Sequence, residues 1–484
     1  MMNLETQTQT MASRIARKLR TFQTREDGTM VIFAVFMLIL ILLITGMAVD
    51  FMRVESTRTR IQGTLDRAVL AAADLGQTLP REQVVQDYME KAGLGEALQG
   101  TPTVSEGLNF REVSAVAEAN VPMMFSGLAR ILDADADIHE SMTVPAFSVA
   151  EERVSKVEIS LVLDISGSME SNSRMTNLHT AATEFVNTVL KDGNEDLVSV
   201  SLIPYSEHVN AGPDIFNQLN VRKVHNYSHC IEFDNDEFTS TSLSLTERYD
   251  QMQYFQWNYN GSYRYGNDLS ETVCPRWDYE RINAWESSRT ELVSQINQLR
   301  GRAGTSIFLG LKWGAALLDP STKPILTSLI AANKVDGSFA GRPAAYDDDE
   351  TVKFIILMTD GENSNSSRIQ SWAYNSESEY AHWSNYNFNW YLDRYVSSWK
   401  HGQYSYLKYN RSLGNELMDD ICDAAKAQGI VIWTIGFEIP DPLGNQVLSD
   451  CATSPSHFFD VDGIEISNAF SAIATQINNL KLTH

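Results

Sequence analysis

The chain has little that would mark it as an enzyme. No G-x-S-x-G elbow, H-E-x-x-H pair or G-x-x-x-x-G-K-[ST] loop occurs, so the common hydrolase, metalloprotease and nucleotide-binding signatures are missing. Only four cysteines are present, Cys230, Cys274, Cys422 and Cys451, and none forms a C-x-x-C pair, which excludes zinc-ribbon and thioredoxin-like motifs. The nine histidines are scattered, and His179 on a helical stretch reads as a packing or solvent-facing residue rather than a base. Positive charge is also short. Against 62 Asp and Glu stand 38 Lys and Arg, a formal net charge of -24 that disfavours nucleic acid and anionic lipid surfaces and favours a metal ion or a basic partner surface. At 43% hydrophobic residues the chain is nevertheless globular rather than disordered, and its length allows more than one core.

Charge is wholly absent from Met30 to Val49, the run MVIFAVFMLILILLITGMAV. At about 1.5 Å per helical residue such a run spans roughly 30 Å, the thickness of a bilayer's hydrocarbon core. Asp50, Phe51, Met52 and Arg53 follow it, where a cleaved signal peptide would place small residues, so the segment reads as a retained single-pass anchor. The preceding tail carries Arg14, Arg17, Lys18, Arg20 and Arg25, and the following residues carry Arg53, Arg58, Arg60 and Arg67. That balance, together with cysteines suited to an oxidising compartment, places residues 1–28 in the cytoplasm and the bulk outside it. Four cysteines allow three pairings among which the sequence does not choose; neighbours, Cys230 with Cys274 and Cys422 with Cys451, are the simplest.

Beyond the run, Ile61, Leu65, Ala68, Ala72 and Leu75 recur at helical spacing, predicting a stalk that continues the same helix through residues 29–76. Residues 77–152 read as a small α+β region, with strands over Val113–Val121 and Ala136–Val144 and a helix over Met123–Leu132. From residue 153 to 484 the pattern alternates buried strands with amphipathic helices. Val157–Leu163, Leu197–Ile203, Lys353–Met358 and Ile430–Phe437 are continuous β-branched runs, and helices are predicted over Met175–Leu190, Phe308–Leu318 and Ile466–Leu480. This is the grammar of a doubly wound, mainly parallel α/β sheet, whose binding crevice lies at the carboxyl ends of its strands. Two insertions interrupt it, about 212–286 and 366–411. The second holds Trp372, Trp383, Trp390 and Trp399, which form either a recognition surface for protein or glycan or a local core.

The strand Val157–Leu163 runs into Asp164-Ile165-Ser166-Gly167-Ser168, and Lys353–Met358 runs through Thr359 into Asp360-Gly361. A third loop, Gly304-Thr305-Ser306, precedes a helix. Hard divalent cations take oxygen ligands, and these three loops offer two carboxylates and three hydroxyls at one sheet edge. The segments resemble the metal-ion-dependent adhesion site of von Willebrand factor A domains, over roughly residues 156–481 with the insertions outside. The resemblance implies that Ser166, Ser168 and Thr305 supply hydroxyls and that Asp164 and Asp360 hold Mg2+ (or Mn2+ or Ca2+) directly or through water. It further implies a position left for an acidic group of a protein partner. Over about residues 22–76, Glu26-Asp27-Gly28, Ala48-Val49-Asp50 and Asp66-Arg67-Ala68-Val69-Leu70-Ala71-Ala72-Ala73 resemble the TadE/TadG-like proteins of Flp pilus assembly. Gly28 is followed five residues later by Phe33 rather than Glu, a departure from the pattern of prepilin processing. Together the two resemblances imply a non-enzymatic, inner-membrane protein whose periplasmic adhesion or scaffold module serves pilus assembly or surface attachment. The alternatives are a glycan- or matrix-binding receptor that uses the Trp/Tyr-rich insertion, or, further off, an α/β hydrolase.

Overall fold

The computed structural model describes residues 27–74, 77–106, 110–127, 140–153, 155–191, 193–439 and 441–480. The chain divides into two compact units, Met1–Arg153 and Val154–His484.

In the first unit one helix runs unbroken from Asp27 to Ala73, about 70 Å at the standard rise. Its first half exposes Met30, Ile32, Phe33, Phe36 and Leu38, apolar side chains that no protein surface covers. Its second half is not a free stalk. Ile61, Leu65, Ala68 and Ala72 are fully buried, packed on Val113, Ala115, Ala117 and Ala146 of an antiparallel sheet and on Val84, Val85 and Met89 of the helix Arg81–Lys91. The expected fifth member of the stripe, Leu75, lies outside the described residues. The sheet is made of Leu98–Glu106, Phe110–Pro122 and Ser141–Arg153 in that order. Alternation explains its two faces, since Val113, Ala115 and Ala117 point at the helix while Val116 points away. Of the strand expected over Ala136–Val144, residues 141–144 lie in the strand Ser141–Arg153 and 136–139 lie outside the described residues, as do 128–132 of the helix expected over 123–132. The strand Leu98–Glu106 escaped the sequence reading because Gly100 and Pro102 break its apolar pattern.

The second unit is a six-stranded sheet in the order Phe458–Val461, Val431–Phe437, Thr351–Thr359, Lys156–Asp164, Val198–Tyr205 and Asn283–Glu286. Every neighbour pair is parallel except the last. Residues 283–286, expected at the end of the first insertion, therefore belong to the sheet. Helices Arg174–Val189, Arg289–Ile296 and Glu465–Leu480 cover one face through Leu178, Phe185, Leu292, Phe470 and Ile473. Helices Ile307–Ala316, Arg411–Ala427 and Pro442–Cys451 cover the other. Helix Ile307–Ala316 lies unusually close to the strands because Gly310 and Gly314 face them. A Cβ at Gly310 would stand 2.7 Å from Tyr205 Cδ1, and one at Gly314 would stand 2.8 Å from Val162 Cγ2.

The two insertions build one satellite core. Cys230, Met252, Phe255, Val273 and Cys274 from the first pack with Ile369, Tyr374, Trp383, Phe388 and Leu392 from the second. Cys230 is bonded to Cys274, and Cys422 to Cys451, so sequence neighbours pair. Placement of Trp383 at a partner surface is corrected here. It is 3% exposed and its indole Nε1 donates to Ala373 O at 2.8 Å, because the chain folds the loop around it. Trp390 is partly covered, stacked on Tyr386, whereas Trp372 and Trp399 are exposed.

Gly310→Ala should lower stability by about 1–3 kcal/mol, because the added methyl meets a fully buried ring rather than a flexible side-chain end. Urea unfolding checks this against Gly337→Ala, where a Cβ meets open space and stability should change by well under about 1 kcal/mol.

Candidate metal site

Asp164 is the last residue of a strand paired on both sides, so the sheet fixes its backbone before any side chain is considered. The carboxylate is fully buried. Oδ1 accepts from the Ser166 amide at 2.7 Å, and Oδ2 accepts from Thr359 Oγ1 at 2.6 Å and from the Tyr205 hydroxyl at 3.4 Å. Ser166 Oγ lies 3.0 Å from Ser168 Oγ, which donates to Asp360 Oδ1 at 2.7 Å. Four of the five predicted ligands thus form one hydrogen-bonded chain, which passes from Asp164 through the Ser166 amide and then through the two serine hydroxyls to Asp360.

Thr305 reaches the same place through its loop. The Ser364 amide donates to Thr305 O at 2.8 Å, and the Thr305 amide donates to Ser364 Oγ at 2.8 Å. On the other side the Gly167 amide donates to Ala303 O at 3.0 Å and the Arg302 amide to Ile165 O at 2.9 Å. Gly167 permits this approach, since a Cβ there would already sit 3.1 Å from Ala303 O. The three loops therefore meet at one sheet edge. Asp164, Ser166, Thr305 and Asp360 are buried, while Gly167 and Ser168 are exposed, so the cluster is open to a visitor from the Ser168 side.

The electrostatics are unbalanced. Burial, and next the charge on Asp360, push the Asp164 carboxyl up from 3.8 to about 7, against hydrogen bonds from Ser166 and Thr359. Burial also raises Asp360, while Ser168 and the Arg174 guanidinium pull it back. The sequence reading missed Arg174. Its Nη1 lies 2.7 Å from Asp360 Oδ2, its Nε lies 2.8 Å from Glu438 Oε2, and its Nη2 donates to Glu438 O at 3.1 Å. Also missed was Glu207, fully buried, which accepts from Ser366 Oγ at 2.8 Å and from the Tyr259 hydroxyl of the first insertion. A Cβ on Gly304 would stand 3.4 Å from Glu207 Oε2 and 3.5 Å from Tyr259 Oη, so this insertion packs directly behind the third loop. No periodicity signals these contacts. His179 sits as expected away from chemistry, with Nε2 3.1 Å from Leu299 O.

The donors suit a hard cation. Two carboxylates and three hydroxyls, without imidazole or thiolate, match Mg2+ or Ca2+ and not the softer metals. Among the described residues no three His, Cys, Asp or Glu side chains gather as a metal site, so the hydroxyls of Ser166, Ser168 and Thr305 would have to complete any shell. One guanidinium beside two buried carboxylates leaves surplus negative charge, which a cation would offset.

Known proteins resemble the chain in part. Residues 28–75 match the family model for putative Flp pilus-assembly TadE/G-like proteins. The amino-terminal segment is TadE/G-like. Among the described residues it holds the one helix long and apolar enough to cross a membrane, as a single-pass anchor requires, and Met30–Val49 is its apolar run. No curated protein matches the chain. Among solved structures it is similar to the vWF domain of the type V pili tip protein Mfa5 from Porphyromonas gingivalis, at 16% identity and TM-score 0.35, covering 68% of this chain and 97% of that one. It is also similar to the pilus adhesin SpaC from Lactobacillus rhamnosus GG, at 15% identity and TM-score 0.34, covering 78% of this chain and 34% of that one. A third is the adhesive tip pilin GBS104 from Group B Streptococcus agalactiae, at 11% identity and TM-score 0.35, covering 66% and 100%. The doubly wound, mainly parallel sheet expected from the von Willebrand factor A resemblance is present.

A carboxyl held above its unfolded value favours the fold while protonated, and that contribution is lost as pH rises through the folded value. In chelator, stability should therefore fall between about pH 4 and pH 7 as Asp164 ionises. Thermal unfolding across that range should show the slope in the parent and a much weaker one in Asp164→Asn, with added Mg2+ flattening it in the parent alone.

Proposed function

We propose that this chain is a membrane-anchored, non-enzymatic adhesion or scaffold module that binds a protein partner through a divalent cation during Flp pilus assembly or surface attachment. The observation that carries it is the hydrogen-bonded cluster of Asp164, Ser166, Ser168 and Asp360 at the carboxyl edge of the sheet, open at Ser168. Asp164, Ser166, Ser168, Thr305 and Asp360 would hold Mg2+, and the ion would offer an acidic side chain of the partner a strong electrostatic contact. A pilus or envelope component is the partner class suggested by the TadE/G-like segment. In this reading residues 1–28 lie in the bacterial cytoplasm, the anchor crosses the inner membrane, and the remainder is periplasmic, where both disulfides are stable.

Arg174 gives the site a particular character. It holds one oxygen of Asp360 and supplies positive charge where the ion would add more. The same guanidinium lowers the net negative charge of the cluster, which weakens cation binding and leaves a bound ion more attractive to a partner's carboxylate.

A second reading, recognition of glycan or matrix by the aromatic insertion, rests on Trp372 and Trp399, 53% and 72% exposed. Trp383 contributes to it only as core.

Calorimetric titration with MgCl2 should show one site in the parent and none in Asp164→Ala or Ser166→Ala, both of which should keep the parent's circular dichroism. Arg174→Gln should tighten Mg2+ by roughly three- to tenfold through loss of a neighbouring positive charge. Weaker binding in that variant would mean that the guanidinium only props Asp360 in place. Capture of envelope proteins that EDTA abolishes supports the cation reading. Capture that survives EDTA and is lost in Trp372→Ala/Trp399→Ala selects the second.

A further inference from the structure

The apolar run of the anchor ends at Val49, yet its last turn is not left to lipid alone. Gly46 lies three residues before that end, about 5 Å inside it along the helix axis. A Cβ on Gly46 would stand 2.8 Å from Phe125 Cβ and 2.9 Å from Phe125 Cγ, so the loop that follows the strand Phe110–Pro122 is packed against the membrane-crossing segment itself. Phe125 is thereby held at the depth of the hydrocarbon edge. Around it Phe51, Met52 and Met124 are 63%, 70% and 69% exposed, and Phe125 is 37% exposed. They extend the apolar surface of the anchor past Val49 without a break.

A loop at that depth brings backbone amides into a place with few water partners, where each unsatisfied group is costly. Asp50 answers this. Its carboxylate is 1% exposed and accepts from the Met124 amide through Oδ1 and from the Phe125 amide through Oδ2, both at 2.8 Å. Arg53, one turn further on, donates to Pro122 O at 3.1 Å and lies 3.8 Å from Asp50 Oδ1. Thus the one acidic side chain at the end of the run is turned away from lipid onto the loop, and the first basic one caps the same turn from the polar side.

We infer that Met124 and Phe125 form a second membrane contact, a wedge seated in the outer edge of the bilayer and clamped to the anchor by Asp50. The occupant of this apolar collar is lipid, because the collar is continuous with the span that lipid surrounds. The inference rests on the reading of Met30–Val49 as a membrane span.

The full chain, reconstituted in phosphatidylcholine vesicles that contain doxyl-labelled acyl chains, tests this. The four native cysteines are paired, so one added cysteine takes an NBD label. Labels at Met124→Cys and Phe51→Cys should be quenched to within about twofold of each other. A label at Ser105→Cys should be spared. That residue pairs with Glu112, ten residues up the strand from Pro122, roughly 34 Å away. Adding Asp50→Ala should reduce quenching at Met124 at least twofold and leave Phe51 unchanged. A Met124 label no more quenched than Ser105, with Phe51 quenched, overturns the wedge. Equal quenching at Met124 with and without Asp50 overturns the clamp. Absence of quenching at Phe51 overturns the span on which both stand.

Discussion

The structure of the larger unit turns on two carboxylates, Asp164 and Asp360, buried together at the carboxyl edge of a parallel sheet. Like charges in a dry environment are tolerated only if a proton, a cation or dense hydrogen bonding stabilises them. Here all the local donors are enlisted: the Ser166 amide, Thr359, Tyr205 and Ser168, and the Arg174 guanidinium. Around them three loops, 164–168, 302–307 and 359–364, are tied to one another by separate hydrogen bonds.

Much of this was legible in the chain. A strand buried on both faces needs continuous β-branched residues, so Val157–Leu163, Lys353–Met358 and Ile430–Phe437 announced themselves, and the polar residues at their ends marked the site. Other parts lacked a local signal. Arg174 meets Glu438 across 264 residues, and nothing in the run Ser171-Asn172-Ser173-Arg174 distinguishes a ligand of carboxylates from a solvated helix start. The short edge strands Asn283–Glu286 and Phe458–Val461 have too few residues for periodicity to speak. Trp383 and Trp399 look alike in sequence, and only the closure of the insertion around the first separates core from surface. In the smaller unit the stripe Ile61, Leu65, Ala68 and Ala72 correctly marked a buried face, but a stripe does not name what covers it.

The insertions are long for loops of a compact domain, and their order has a physical basis. Each alone has too little apolar surface for a core; together they share one, fastened by Cys230–Cys274 and by the ion pairs of Glu232 with Arg368 and Lys408. Glu232 is held well below the usual carboxylate range despite burial, because Arg368, His208 and Lys408 all favour its charge. Through Tyr259 and Glu207 this satellite core abuts Gly304, so a change in either insertion is felt at the loop carrying Thr305. The insertions thus pack directly behind the loop that carries Thr305.

The opposite edge of the same sheet shows why surplus charge, rather than burial, marks the site. There Glu158 and Lys353 are buried side by side at 2.6 Å, with Lys353 also donating to Leu318 O and the Ala344 amide to Glu158 Oε1. Nearby Arg342 is spent on the carbonyls of Val157, Asp196 and Leu197. One acid meets one ammonium, every strong donor has an acceptor, and nothing further is called for. At the carboxyl edge Asp164 and Asp360 lie together, the one guanidinium there is divided between Asp360 and Glu438, and Ser168 lies open to solvent. Both edges are buried, polar and rigid. Only one is short of positive charge, and there either a proton on Asp164 or a cation would offset the deficit.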